Sequence, residues 1–185
     1  MVKLNRRREF FVAILSGVTG FGVLLLSWLI FMRIVLGHFF GGAMSLWENL
    51  VILCVVPLLI AIGAAIPAWT LGATIQHSLI SGIISMTVFV LVDVTGARTN
   101  YAPFVEYETV AFILAAFVTV VIAISQQNDL SSARLNIIFW SAIALIGLRF
   151  ILPGNDIAVG ISISFLAWVT LPLVATIFKR TDENE

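Results

Sequence analysis

Apolar residues in this chain run in long blocks, not in the alternation of a half-buried strand or the stripe of a surface helix. The blocks cover residues of about 10–32, 50–68, 71–92, 109–125, 135–152 and 157–178, and charge is nearly absent inside them. About 20 apolar residues cross the hydrocarbon core as a helix. Unsatisfied backbone groups are costly in lipid, so each block predicts a helix with its hydrogen bonds closed internally. An outer-membrane barrel would instead show alternating segments of about ten residues, a pattern this chain lacks. The expected fold is all-α: one integral membrane domain over residues 1–185, a polytopic bundle of about six transmembrane helices.

Composition agrees and removes other classes. Hydrophobic residues make up 61% of the chain and charged residues 11%, with a mean hydropathy of +1.10. A soluble domain carries about 25% charged residues, so too few charges exist to coat a water-facing surface. No segment is long and polar enough for a second, soluble domain. Net charge is zero and no basic run follows the first residues, which argues against nucleic acid as a partner. The bilayer is the expected partner. The single cysteine, Cys54, falls within the second block, so an intrachain disulfide, a thiolate metal cluster and CxxC chemistry are all excluded within this chain.

Orientation follows from Lys and Arg, which collect on the cytoplasmic side. With the N-terminus inside, six crossings return the C-terminus to the same side. Lys3, Arg6, Arg7, Arg8, Arg134, Lys179 and Arg180 then lie inside, and Arg33, Arg98 and Arg149 outside. The expected topology is N-in and C-in, in an inner-type membrane. The stretch Arg7-Arg8-Glu9-Phe10-Phe11 is similar to a twin-arginine export signal. The apolar run behind it is longer than a secretory core and lacks an obvious cleavage site, so a positive-inside anchor is the preferred reading.

Two spans carry distinctive faces. In span three, Thr74, His77, Ser78, Ser81 and Ser85 share one broad face at i+3 and i+4 spacing, with Gln76 beside it. The hydroxyls can simply bond to carbonyls one turn back. Alternatively, Gln76, His77, Ser78, Ser81 and Ser85 line a polar path or contact a ligand, since an ionisable group inside the membrane is a functional candidate by default. His77 then reads either as a hydrogen-bonded structural imidazole or as a proton relay. Span four carries Ala111, Ala115, Thr119 and Ala123 in an i+4 stripe, a candidate helix-packing face, because small residues let backbones approach closely in lipid. That stripe serves packing within the chain or contact with a partner subunit.

The remaining charges gather at the expected outer face. Arg149 sits about one turn before Pro153. It is expected to snorkel outward or to form an ion pair or solute site with Glu48, Asp93 or Asp156. Motifs for metal-dependent proteolysis, a nucleophile elbow or a P-loop are absent. No catalytic, cofactor-binding or metal-ligating residue is assigned, and the sequence names no cofactor. His38 and His77 are placed near opposite faces and cannot share one haem within a chain. In size and span count alone, the chain resembles the substrate-binding components of energy-coupling-factor vitamin transporters. The expected function is a non-catalytic helical subunit or scaffold of a larger membrane complex, with partner subunits or a second copy as partners. The alternative is a small transporter or solute-binding subunit with a polar path along span three.

Overall fold

A computed structural model of the protein describes residues 2–38, 43–98, 104–126, 131–152 and 157–178. The described residues are helical almost throughout. In chain order the elements are α1 (Val2–His38), α2 (Leu46–Leu50), a π-helical turn (Val51–Val55), α3 (Val56–Thr70), α4 (Ile75–Arg98), α5 (Phe104–Ser125), α6 (Ser132–Ile151) and α7 (Ile157–Phe178). Six helical rods are long and apolar enough to cross a membrane, because α2, the π turn and α3 run on as one rod from Leu46 to Thr70. Spans one to six of the sequence correspond to α1, this rod, α4, α5, α6 and α7.

The π turn has a local cause. Pro57 has no N–H to return to the preceding turn, and just before it Val56 N–H donates to Val51 O, five residues back. One wide turn absorbs the mismatch without breaking the rod. The start of the rod is fixed by Ser45, whose Oγ accepts from Glu48 N at 3.3 Å while Glu48 Oε2 accepts from Ser45 N at 2.8 Å. This reciprocal arrangement satisfies donors that the helix start would leave orphaned. The apolar block begins near residue 50, but the capping box starts the helix at Leu46, one turn earlier.

The rod ends at Thr70. Gly72 has φ 104°, and Gly72 N and Ala73 N donate to Trp69 O and Ala68 O, each at 3.0 Å. This pair of bonds around a left-handed glycine is a Schellman cap. It reverses the chain over residues 71–74, so α4 starts at Ile75 and not at residue 71.

The core runs through the bundle axis. Phe21 and Leu24 of α1, Phe112 and Ile113 of α5, Leu145 of α6, and Trp168 and Leu171 of α7 form one buried cluster. Phe112 joins three helices: its ring centroid lies 5.9 Å from Phe21 and 5.1 Å from Phe89 of α4. Two close approaches hold α1 in place. A β-carbon on Gly17 would come within 2.0 Å of Trp168 O, and one on Gly20 within 2.9 Å of Gly63 O. Both carbonyls lie four residues before a proline, Pro172 and Pro67, and so lose their helical N–H donor. Glycine lets the α1 backbone approach each freed carbonyl closely.

The helices alternate in direction. One end of the bundle, here the N-terminal face, gathers Arg8 and Glu9 of α1, Thr70 of α3, Ile124 of α5, Arg134 of α6 and Thr176 of α7 around one cleft. The opposite end gathers Trp28 of α1, Glu108 and Thr109 of α5, and Ile157 and Gly160 of α7 around another. Outward surfaces are apolar, with Leu53, Leu58, Ile62 and Ile66 exposed on the second rod and Leu79, Ile83 and Leu91 on α4.

Candidate functional site

The N-terminal face holds the larger cleft, about 240 Å³. Its principal charged group is Arg134, only 3% exposed. The local sequence fixes this residue twice. Ser131 caps α6 by accepting from Arg134 N at 3.2 Å, which sets the first turn of the helix. The guanidinium then reaches the last turn of α7, where Arg134 Nε donates to Ala175 O at 3.0 Å and Nη2 donates to the same oxygen. Ala175 O is among the last carbonyls of α7, which have no intrahelical donor. The cation therefore sits at the negative end of the α7 dipole, stitching together the open ends of the antiparallel α6–α7 pair.

Arg8 and Glu9 of α1 complete the charged lining. Both are exposed, whereas Arg134 is buried. The lining thus includes two guanidinium groups and one carboxylate. Thr70 and Thr176 also line the cleft, but each hydroxyl donates to its own helix, to Pro67 O at 2.9 Å and Leu173 O at 2.8 Å. Their oxygens can accept, and the arginines are the side-chain donors. Val120, Ala123 and Ile124 add apolar surface to the lining. The cleft is amphipathic, lined by both charged and apolar side chains.

The residues singled out from the sequence fall elsewhere. His77 lies in the first turn of α4, half-buried, with Nδ1 2.7 Å from Thr74 Oγ1. It is closer to the bundle end than the block boundary at residue 71 implied. Gln76 is exposed beside it, while Ser78, Ser81 and Ser85 are buried. Ser78 Oγ donates to Thr74 O at 2.9 Å, and Ser81 Oγ donates to Thr119 Oγ1 across the α4–α5 seam at 3.3 Å. Ser85 Oγ makes no hydrogen bond. None of the five lines either cleft.

Ala111, Ala115, Thr119 and Ala123 are all buried inside the chain's own bundle. Thr119 Oγ1 donates to Ala115 O at 2.7 Å, and α5 packs against α3, α4, α6 and α7. The stripe faces these neighbours and not an outside partner.

Arg149 departs from the expected snorkel. It is 1% exposed, on the face of α6 formed by Arg134, Ile138, Ala142, Leu145 and Arg149. The buried stripe of α6 begins and ends in arginine. Glu48 belongs to the capping box at the start of the second rod. The side chain of Asp93 and the whole of Asp156 lie outside the described residues, so the proposed group of Arg149 with Glu48, Asp93 and Asp156 falls partly outside them. Among the described residues no three His, Cys, Asp or Glu side chains gather into a metal-binding set.

Sequence reasoning missed Arg134 as a site residue, counting it only as an inner-loop charge. A signal was present. A cation in the first turn of a helix opposes that helix's dipole, so it needs compensation elsewhere, here the C-terminus of α7. Glu48 also had a legible signal, the S-x-x-E spacing of Ser45 to Glu48. Compared with known proteins, the chain matches no family model, no curated sequence and no solved structure.

Proposed function

We propose that the protein is a non-catalytic, multi-pass integral membrane protein of an inner-type membrane, with both termini cytoplasmic, that serves as a helical subunit or scaffold of a larger membrane complex. Membrane residence draws support from the second rod. Trp47 and Trp69, 77% and 60% exposed, lie about 33 Å apart along its axis at 1.5 Å per residue. That span matches a hydrocarbon core of about 30 Å bracketed by interfacial tryptophans. The positive-inside count supports placing the N-terminal face in the cytoplasm.

The observation that carries the subunit reading is the buried apolar cluster that joins α1, α5, α6 and α7. Phe21, Phe112, Ile113, Trp168 and Leu171 belong to this cluster, and Ser81 of α4 bonds across the seam with α5. Recognition then falls to the outer surface and the two ends. Native purification in mild detergent with mass spectrometry tests this. The reading expects a stoichiometric membrane partner or a second copy. A lone monomer carrying a small solute contradicts it.

The cleft on the N-terminal face favours a second reading, a small solute-binding membrane subunit. Ligand pockets usually enclose about 300–1,000 Å³, so this cleft, at about 240 Å³, falls just below that range and suits only a small ligand. The polar path along span three remains part of that reading, with Gln76 and His77 at its mouth. His77→Ala abolishes activity if the imidazole relays protons, and full activity in that variant removes the relay.

A further inference from the structure

We propose that the second rod carries a hinge at its π turn, about which residues 46–55 swing while the bundle holds α3 still. The two sides of the turn are held very differently. In α3, Val56, Ile60, Gly63, Ala64, Pro67 and Ala68 are buried. Ser27 Oγ of α1 donates to Val56 O at 3.3 Å, and Ser16 Oγ donates to Pro67 O at 3.4 Å. Helix α4 also grips α3, since a β-carbon on Gly82 would come 2.5 Å from Ala61 O. Before the junction the picture reverses. No residue of α2 or the π turn is buried, and Leu46, Trp47 and Leu53 are 78%, 77% and 72% exposed. Segments with so little burial open most easily. Val51 alone of these residues packs, partly buried, against the core cluster, and it lies in the turn itself, where a pivot belongs.

The backbone bonding changes across the same few residues. Val51 N–H is shared between Glu48 O and Trp47 O, whereas Val56 N–H reaches back five residues to Val51 O. The winding thus passes from tight to wide within about one turn. Pro57 follows and donates no backbone bond, so the ladder lacks a rung at the junction whether four or five residues are counted back. Sharp helix bends fall at prolines and π turns, and single π turns recur where helices carry function. A fixed side, an unburied side and a weakened ladder between them meet at residues 51–57. Their conjunction makes a hinge, which neither the proline nor the π turn would establish alone.

The test is a set of electron-spin distance measurements on the full chain in nanodiscs, in a Cys54→Ser background. One nitroxide sits at Ile151→Cys, at the end of α6 and 78% exposed. The second sits at Leu46→Cys or Leu50→Cys on the moving side, or at Leu58→Cys on the fixed side; all three native residues are exposed. The hinge predicts a distance distribution about twofold broader or more for Leu46→Cys than for Leu58→Cys, because the segment before the junction is the less buried one. Leu50→Cys, nearer the pivot, is broadened too, by less. Pro57→Ala restores the missing N–H donor and is expected to narrow both distributions toward that of Leu58→Cys. Broadening at Leu46→Cys alone is fraying of the rod's first turn and overturns the hinge. Equal widths on the two sides of the junction, or broad distributions that Pro57→Ala leaves unchanged, overturn it as well.

Discussion

Gly17 of α1 lies against Trp168 of α7 so closely that a β-carbon at position 17 would come 2.0 Å from the Trp168 carbonyl oxygen. The obstacle is backbone, which cannot rotate away. Gly17→Ala therefore separates α1 from α7 or distorts one of them. Its cost lies at or above the upper end of the roughly 1–3 kcal/mol typical of overpacking. Gly22 and Gly147 meet nothing within 4 Å, and alanine there is expected to be neutral or to gain about 0.5–1 kcal/mol from helix propensity. Thermal melting of the three variants in one detergent checks the contrast.

Ser85 Oγ is buried with no hydrogen bond. Removing an unsatisfied hydroxyl relieves a desolvation penalty of about 1–3 kcal/mol. Ser85→Ala is thus expected to melt at or above the wild-type temperature. A clear loss of stability would mean that the hydroxyl has a partner and belongs to a polar path, as the alternative reading of span three requires.

The contact of Arg134 with Ala175 joins α6 and α7 at their open ends. Hydrogen bonds to charged groups contribute about 1.5–3 kcal/mol, so Arg134→Ala is expected to destabilise by that order. Hydrogen exchange should rise first in the last turn of α7. Uniform exchange changes across the bundle would contradict a local role.

The capping box at Ser45 and Glu48 sets where the second rod begins. Ser45→Ala removes the cap and is expected to cost about 1 kcal/mol, with faster amide exchange confined to the start of the rod. An unchanged exchange profile would show that the rod starts independently of its cap.

How much of this was legible in the sequence depended on whether the cause was local. Six rods were legible because each apolar block is long enough to form a membrane-crossing helix, the form a lipid surrounding would require. The polar seam of α4 and the small stripe of α5 were legible as faces, since i+4 spacing fixes them. Which neighbour each face meets was not, because that depends on how distant helices pack. Arg134 illustrates the limit: its partner, Ala175, lies 41 positions further on, and only the fold brings a helix start to a helix end. Arg149, for which a snorkel and an ion pair were both open, shows the same limit. A cation near the end of a span can snorkel, and nothing local shows that its face of α6 turns inward. The Schellman turn at Gly72 shifted the start of span three, because the apolar run continues through Leu71 while the backbone reverses.

The account rests on a six-crossing bundle whose N-terminal face is cytoplasmic, and cysteine accessibility tests it directly. In a Cys54→Ser background, Gln76→Cys places a thiol on the N-terminal face and Ala43→Cys places one on the opposite face; both native residues are exposed. A membrane-impermeant maleimide is applied to right-side-out vesicles before and after permeabilisation. Labelling of Ala43→Cys at once, and of Gln76→Cys only after permeabilisation, is the predicted result. Labelling of Gln76→Cys in sealed vesicles, or equal labelling of both, contradicts it.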